Sequence, residues 1–293
     1  MEQTEKYLNP FTDFGFKKLF GSEPNKDLLI DFLNQVLPDK HQIKDLTYSR
    51  TEHLGQTETD RRAVFDLYCL GENGERFIVE MQKAKQTYFK DRSVYYSSFP
   101  IQEQGQKGSW DFYLSPIYTV AVLDFKLPDD DDCQEVRHEV QLKDLYGKVF
   151  YEKLTFIYLE MPNFVKNETE LVSNFDKWMF VLKNLSALKD RPSALQDRIF
   201  QRLFDSAEIA KFTPEEALKY QESLKNYRDW KNTIDTSFDE GIEKGLEIGK
   251  EIGKEIGKNE ANINFARQLK AYGDPIDKII QLTGLSAEEI EIL

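Results

Sequence analysis

Cysteine is nearly missing from this chain of 293 residues, which holds two, Cys69 and Cys133, far apart in sequence. Such sparse use excludes a disulfide framework and a thiolate zinc site, and it implies a reducing compartment. Histidine is almost as scarce, and His41, His53 and His138 show no ligand spacing. No run approaches the roughly 20 apolar residues of a membrane helix. The opening Met-Glu-Gln-Thr-Glu-Lys lacks the basic and apolar regions of a signal peptide. A cytoplasmic protein with no membrane partner is therefore expected. No Ser/His/Asp arrangement, P-loop or dinucleotide fingerprint occurs. Excess positive charge is absent as well: 39 basic residues against 52 acidic ones leave a net charge of −13, which argues against indiscriminate binding to phosphate polymers. A local basic patch and a metal ion would still offset that repulsion at one site. What the chain does have is 40% hydrophobic and 13% aromatic residues, enough for a sizeable core.

The most specific stretch runs from Arg62 to Gln82 and reads as a β-hairpin, two β-branched and aromatic runs around a Gly/Asn turn. Loop length decides the chemistry, because a one-residue slip moves side chains to the other face. A two-residue loop would pair Asp66 with Val79 and send Glu80 away. A three-residue loop, Glu72-Asn73-Gly74, places glycine where a left-handed conformation ends the turn. It pairs Gly71 with Glu75, Asp66 with Glu80 and Val64 with Gln82. Cross-strand partners sit about 4.5–5.5 Å apart, and directly opposed like charges destabilise the pair. A hard divalent cation held by one or two carboxylates and water relieves this. Gln82, two residues beyond Glu80, points the same way. The plain alternative is a solvated polar face without metal.

Asp66…Glu80-x-Gln82 resembles the PD-(D/E)XK nuclease signature, with Gln in place of the usual Lys. The opening Asp13-Phe-Gly-Phe-Lys17-Lys18-Leu-Phe-Gly and the Gly-every-fourth tail ending in Thr283-Gly-Leu-Ser-Ala-Glu-Glu-Ile are similar to one branch of that superfamily. This branch is the Rpn family of recombination-promoting nucleases, also described as PD-(D/E)XK family transposases. The resemblance implies an α/β fold with a restriction-endonuclease-like mixed sheet flanked by helices, followed by a helical subdomain and a helical C-terminal tail. It also implies DNA as partner and Mg²⁺ or Mn²⁺ as cofactor. Asp66, Glu80 and the Met81 backbone carbonyl would hold the metal, and Gln82 would orient water without supplying charge. Similar folds often place a further acid on the first helix, for which Asp13 is the candidate. An ordinary acid at the positive end of a helix dipole is the competing reading.

Elsewhere the patterns are simpler. Residues 8–37 read as helical, with Pro24 just inside a start after Ser22 and Leu28, Leu29, Phe32, Leu33, Val36 and Leu37 at helical spacing. A strand is expected within Ile43–Arg50. Lys83, Lys85, Lys90 and Arg92, with Arg61 and Arg62, form the most basic neighbourhood of the hairpin. Phosphate contact and a solvated helix face are equally open there, and Lys17, Lys85 and Arg92 are the nucleic-acid candidates. Ile117–Phe125 reads as a strand buried on both faces, hence a parallel or mixed sheet. The Asp129–Asp132 run reads as a solvated loop, and a further strand is expected over Leu154–Met161. Residues 1–165 are assigned to the nuclease-like core and 166–232 to a helical subdomain, with helices at 168–185, 193–205 and 214–231. Residues 233–293 form the tail, where Gly241, Gly245, Gly249, Gly253 and Gly257 recur every fourth residue. A self-association helix, and so a homo-oligomer, competes with a charged linker. Two short helices close the chain, the second opened by the capping box Ser286-Ala-Glu-Glu289.

Two functions follow. One is a metal-dependent endonuclease linked to recombination or mobile-element DNA handling, with RNA open to the same chemistry. The other is a nuclease-like fold that no longer cuts and serves as a nucleic-acid or protein interaction module.

Overall fold

Near-continuous apolar runs along three central strands, buried on both faces, explain the architecture. In the computed structural model, residues 5–38, 42–53, 63–105, 108–127 and 133–293 are described. His41, Arg61, Arg62 and the Asp129–Asp132 run lie outside the described residues. Helices α1 (Asp13–Phe20) and α2 (Lys26–Val36) come first, followed by β1 (Leu46–Tyr48), β2 (Glu52–His53), β3 (Ala63–Val64), β4 (Leu67–Gly71) and β5 (Arg76–Gln82). Helix α3 (Phe89–Gln102) leads to β6 (Ile117–Leu123), β7 (Arg137–Lys143) and β8 (Val149–Glu160). Helices α4 (Asn174–Asn184), α5 (Arg198–Ala207), α6 (Pro214–Ala271), α7 (Ile276–Thr283) and α8 (Ala287–Glu291) complete the chain.

Six strands form one mixed sheet in the order β1-β4-β5-β6-β8-β7. Strands β5, β6 and β8 run parallel, and the others pair antiparallel. Every residue of β6 is buried, as a strand covered on both faces requires. Phe77, Val79 and Met81 on β5, with Val120, Val122, Ile157 and Leu159, face α1, α2, α4 and α5. The alternate residues face α3: Ile78 packs with Phe65 and Tyr68, and Ala121, Leu123, Phe156 and Tyr158 pack with Phe89. Buried Ser93 and Ser97 let α3 lie close to that face.

The residues read as a helical subdomain contribute Trp178, Leu182, Phe200 and Tyr220 to the same cluster as Phe20 and Phe32. The compact units are 1–227 and 228–293. The strand expected over Ile43–Arg50 shrinks to three residues, and β8 begins at Val149, earlier than its apolar run. Strand β7 was not expected: Arg-His-Glu-Val-Gln-Leu-Lys is half exposed at the sheet edge, so it lacks an apolar run. The helix expected over 214–231 continues to Ala271. In the second unit, Ala266, Ile279 and Ile290 form a small cluster, and the Ser286–Glu289 capping box closes reciprocally.

Candidate active site

The turn Glu72-Asn73-Gly74 sets the site. Gly74 has φ +84°, and the Gly71 N–H donates to the Glu75 carbonyl at 2.9 Å. That is the three-residue register, and β4 and β5 follow it from Leu70↔Arg76 to Leu67↔Val79. Regular pairing stops there. Asp66 lies in a bend, and Val64 pairs with Glu52 in a separate two-stranded sheet, so the expected Val64–Gln82 pair does not form.

The bend lets Asp66 and Glu80 hold each other's strand. The Asp66 N–H donates to Glu80 Oε1 at 3.3 Å, and the Met81 N–H donates to Asp66 Oδ2 at 2.7 Å. Gln82 Nε2 donates to Glu80 Oε2 at 2.8 Å, so the Glu-x-Gln pair shares one face, the side of α3. Arg92 of α3 lies 3.9 Å from Glu80 Oε2 and stacks over Tyr96. Glu80 and Gln82 sit at the carboxyl end of β5, where ligands of open α/β sheets bind.

Burial is the main electrostatic influence. It pushes Glu80 up to about 8, with help from the Asp66 charge and against Arg92, the Asp66 N–H and Gln82. Asp66 is also raised, first by burial; its Met81 hydrogen bond opposes this, Asp13 adds to it, and Lys17 and Lys83 oppose it. Among the described residues no three His, Cys, Asp or Glu side chains converge as a metal cage. The donor set here is two carboxylates, all oxygen, which fits a hard cation that keeps much of its water.

Asp13 and Lys17 share the first turns of α1 and pair at 2.8 Å. The motif around them has a physical reason. Thr12 Oγ1 accepts the Gly15 N–H at 3.0 Å and donates to the Asn9 carbonyl at 2.8 Å. A Cβ on Gly15 would lie 2.1 Å from that carbonyl oxygen, so only glycine allows this close turn. Asp13, Lys17 and Lys83 line a cleft of about 410 Å³, with Lys219, Ser223 and Asn226 of α6 opposite. The structure thus brings Asp13, Lys17, Asp66, Glu80, Gln82 and Arg92 into one neighbourhood, while Lys85 is simply exposed. The cleft positions on α6 had no signal in the sequence, because their closeness to α1 depends on contacts more than 200 residues apart. Lys83 carried a signal in the sequence as part of the basic neighbourhood after Gln82, although it was not among the three nucleic-acid candidates.

A model of the PD-(D/E)XK nuclease family transposases matches residues 10–237. The chain belongs to this family. The match takes in every residue of the acid pair and of the cleft. Membership gives the mixed sheet its restriction-endonuclease-like character and the protein a nuclease-type, mobile-element-associated function, with DNA as the implied substrate. No curated protein and no solved structure matches the chain. Among the described residues no helix is long and apolar enough to cross a membrane.

Proposed function

We propose that this PD-(D/E)XK family member is a metal-dependent DNA endonuclease serving recombination or mobile-element DNA handling. The observation that carries this reading is the pair of half-buried Asp66 and buried Glu80, each accepting a backbone N–H from the other's strand, whose raised proton affinity a divalent cation would relieve. Asp66, Glu80 and the Met81 carbonyl would hold Mg²⁺ or Mn²⁺. When bound, such an ion lowers the pKa of its water and stabilises charge developing on phosphate. Gln82, anchored on Glu80, presents the rest of its amide to orient that water. Arg92 and Lys85 supply positive charge toward the phosphate backbone, and Asp13 and Lys17 extend the site from α1. The two free cysteines support a cytoplasmic setting.

One observation favours a second reading, an interaction module that does not cut. Gln82 and the Asp66 N–H each donate to one oxygen of Glu80, so both carboxylate oxygens already have a protein partner without a metal. Calorimetric titration with Mn²⁺ and a plasmid-nicking assay with Mg²⁺ separate the two. The endonuclease binds metal and nicks, and Asp66→Ala abolishes both. A protein that binds no metal and leaves plasmid intact is the module.

We also infer that residues 236–293 promote self-association. Ile248, Ile252 and Ile256 are each more than half exposed along one long helix, and apolar stripes of this kind mark interfaces.

A further inference from the structure

The cleft beside Asp66 contains a cation with an unusual environment. Lys83 leaves β5 immediately after Gln82, is half-buried, and places its ammonium 5.8 Å from the Tyr227 ring. Its neighbours are matched: Lys17 pairs with Asp13, Lys18 with Glu216 and Lys219 with Glu215. Among the described residues Lys83 has no carboxylate within 4 Å, and the Asp13 and Asp66 charges act on it only from farther away. Removing an ammonium from water without a paired anion is unfavourable, and an anionic ligand reverses that.

The cleft offers what such a ligand needs. Three lysines, Lys17, Lys83 and Lys219, face two acids, Asp13 and Glu222, in a chain whose net charge is −13. Ser223 Oγ accepts the Phe14 N–H at 3.1 Å, which leaves its own O–H to donate, and Asn226 adds an amide. Cations, a hydroxyl and an amide around one cleft are the groups that contact phosphate and sugar without reading bases.

We propose that this cleft is a phosphodiester-binding subsite, in which Lys83 contacts a backbone phosphate of the nucleic-acid strand that passes Asp66, with Lys219, Ser223 and Asn226 of α6 as the facing wall. This rests on the nuclease reading for its substrate class, but it assigns residues that the acid motif does not. It makes α6 part of the substrate path.

The test uses the full chain and a short single-stranded deoxyoligonucleotide. With EDTA present, fluorescence anisotropy is measured across a salt series. Lys83→Gln weakens binding about tenfold, the scale of one charge-assisted contact, and lowers the salt slope by about one. Lys83→Arg keeps the slope. In the wild type the oligonucleotide protects Lys83, but not exposed Lys44, from reductive methylation; this readout needs no variant to fold. If Lys83 is equally modified with and without DNA, or inorganic phosphate protects it and the oligonucleotide does not, the proposal is overturned. Nicking with Mg²⁺ is scored separately. Nicking without protection of Lys83 leaves the nuclease reading and removes this subsite, whereas protection without nicking does the reverse.

Discussion

Residues 5–227 and 228–293 are both rich in helix, yet they are held together by different physics. In the first unit, Trp178 is fully buried among Phe20, Phe32 and Phe200, and its indole N–H donates to Asp31 at 2.7 Å. In the second, every residue from 231 to 261 is exposed. The first unit's helices are stabilised by burial of one face, which is how most protein helices persist. The tail helix has charged i,i+4 neighbours such as Glu240 and Lys244, each such pair contributing only about 0.2–0.5 kcal/mol. Propensity and surface charge therefore have to carry this part of the helix.

The comparison is broken most forcefully at Trp178. Trp178→Ala should cost about 3–5 kcal/mol in chemical denaturation, enough to unfold much of the first unit. Ile252→Ala should leave that transition unchanged and lower the mass seen by light scattering. An equal loss of stability from both would erase the distinction.

Glu80 gives the next effect, confined to the first unit. Its folded-state pKa of about 8 lies above the ordinary 4.5, so the folded protein keeps a proton that the unfolded chain releases. That contribution is complete below the ordinary value and is lost as pH rises through 8. Metal-free protein should accordingly lose stability across that window, Glu80→Gln should flatten the loss, and Mn²⁺ should offset it in the wild type. Thermal melts across pH check all three.

Glycines sharpen the contrast with opposite signs. Gly15→Ala drives a Cβ into the Asn9 carbonyl and should destabilise the first unit by about 1–3 kcal/mol. Gly249 has open space around its Cβ position, so Gly249→Ala should strengthen an isolated tail helix by about 1 kcal/mol. Circular dichroism melts read both. If Gly249→Ala also reduces self-association, the glycines serve close helix approach. Smallest of all, truncation after Asn232 should leave metal binding intact while lowering the mass by light scattering. An unchanged subunit count would make the tail a linker.

The sequence made some of this legible and hid the rest for identifiable reasons. Gly74 disclosed the hairpin register, because few residues other than glycine accept its backbone angle. The unbroken apolar run disclosed β6. The break in pairing at Asp66 was invisible, since nothing in Val64-Phe65-Asp66 marks where a strand stops. Strict alternation sends Lys83 away from Gln82 to the face of Met81 and α1, and there it lines the cleft with Asp13 and Lys17. Strand β7 was missed because an edge strand has no need of apolar residues on both faces.

Sequence separation divides the site into parts that assemble by different routes. Asp66, Glu80 and Gln82 lie within one hairpin, whose ends close over a short loop and whose register is fixed locally. The opposite wall of the cleft depends on Tyr220 meeting Asn9 and Ser223 meeting Phe14, pairs 211 and 209 residues apart. Contacts of that range require a costly chain closure before they return any stability. The acid pair is therefore robust to changes elsewhere in the chain, whereas the α6 wall is exposed to every alteration that loosens α6 from α1. Variation in that wall can accumulate without disturbing the two carboxylates.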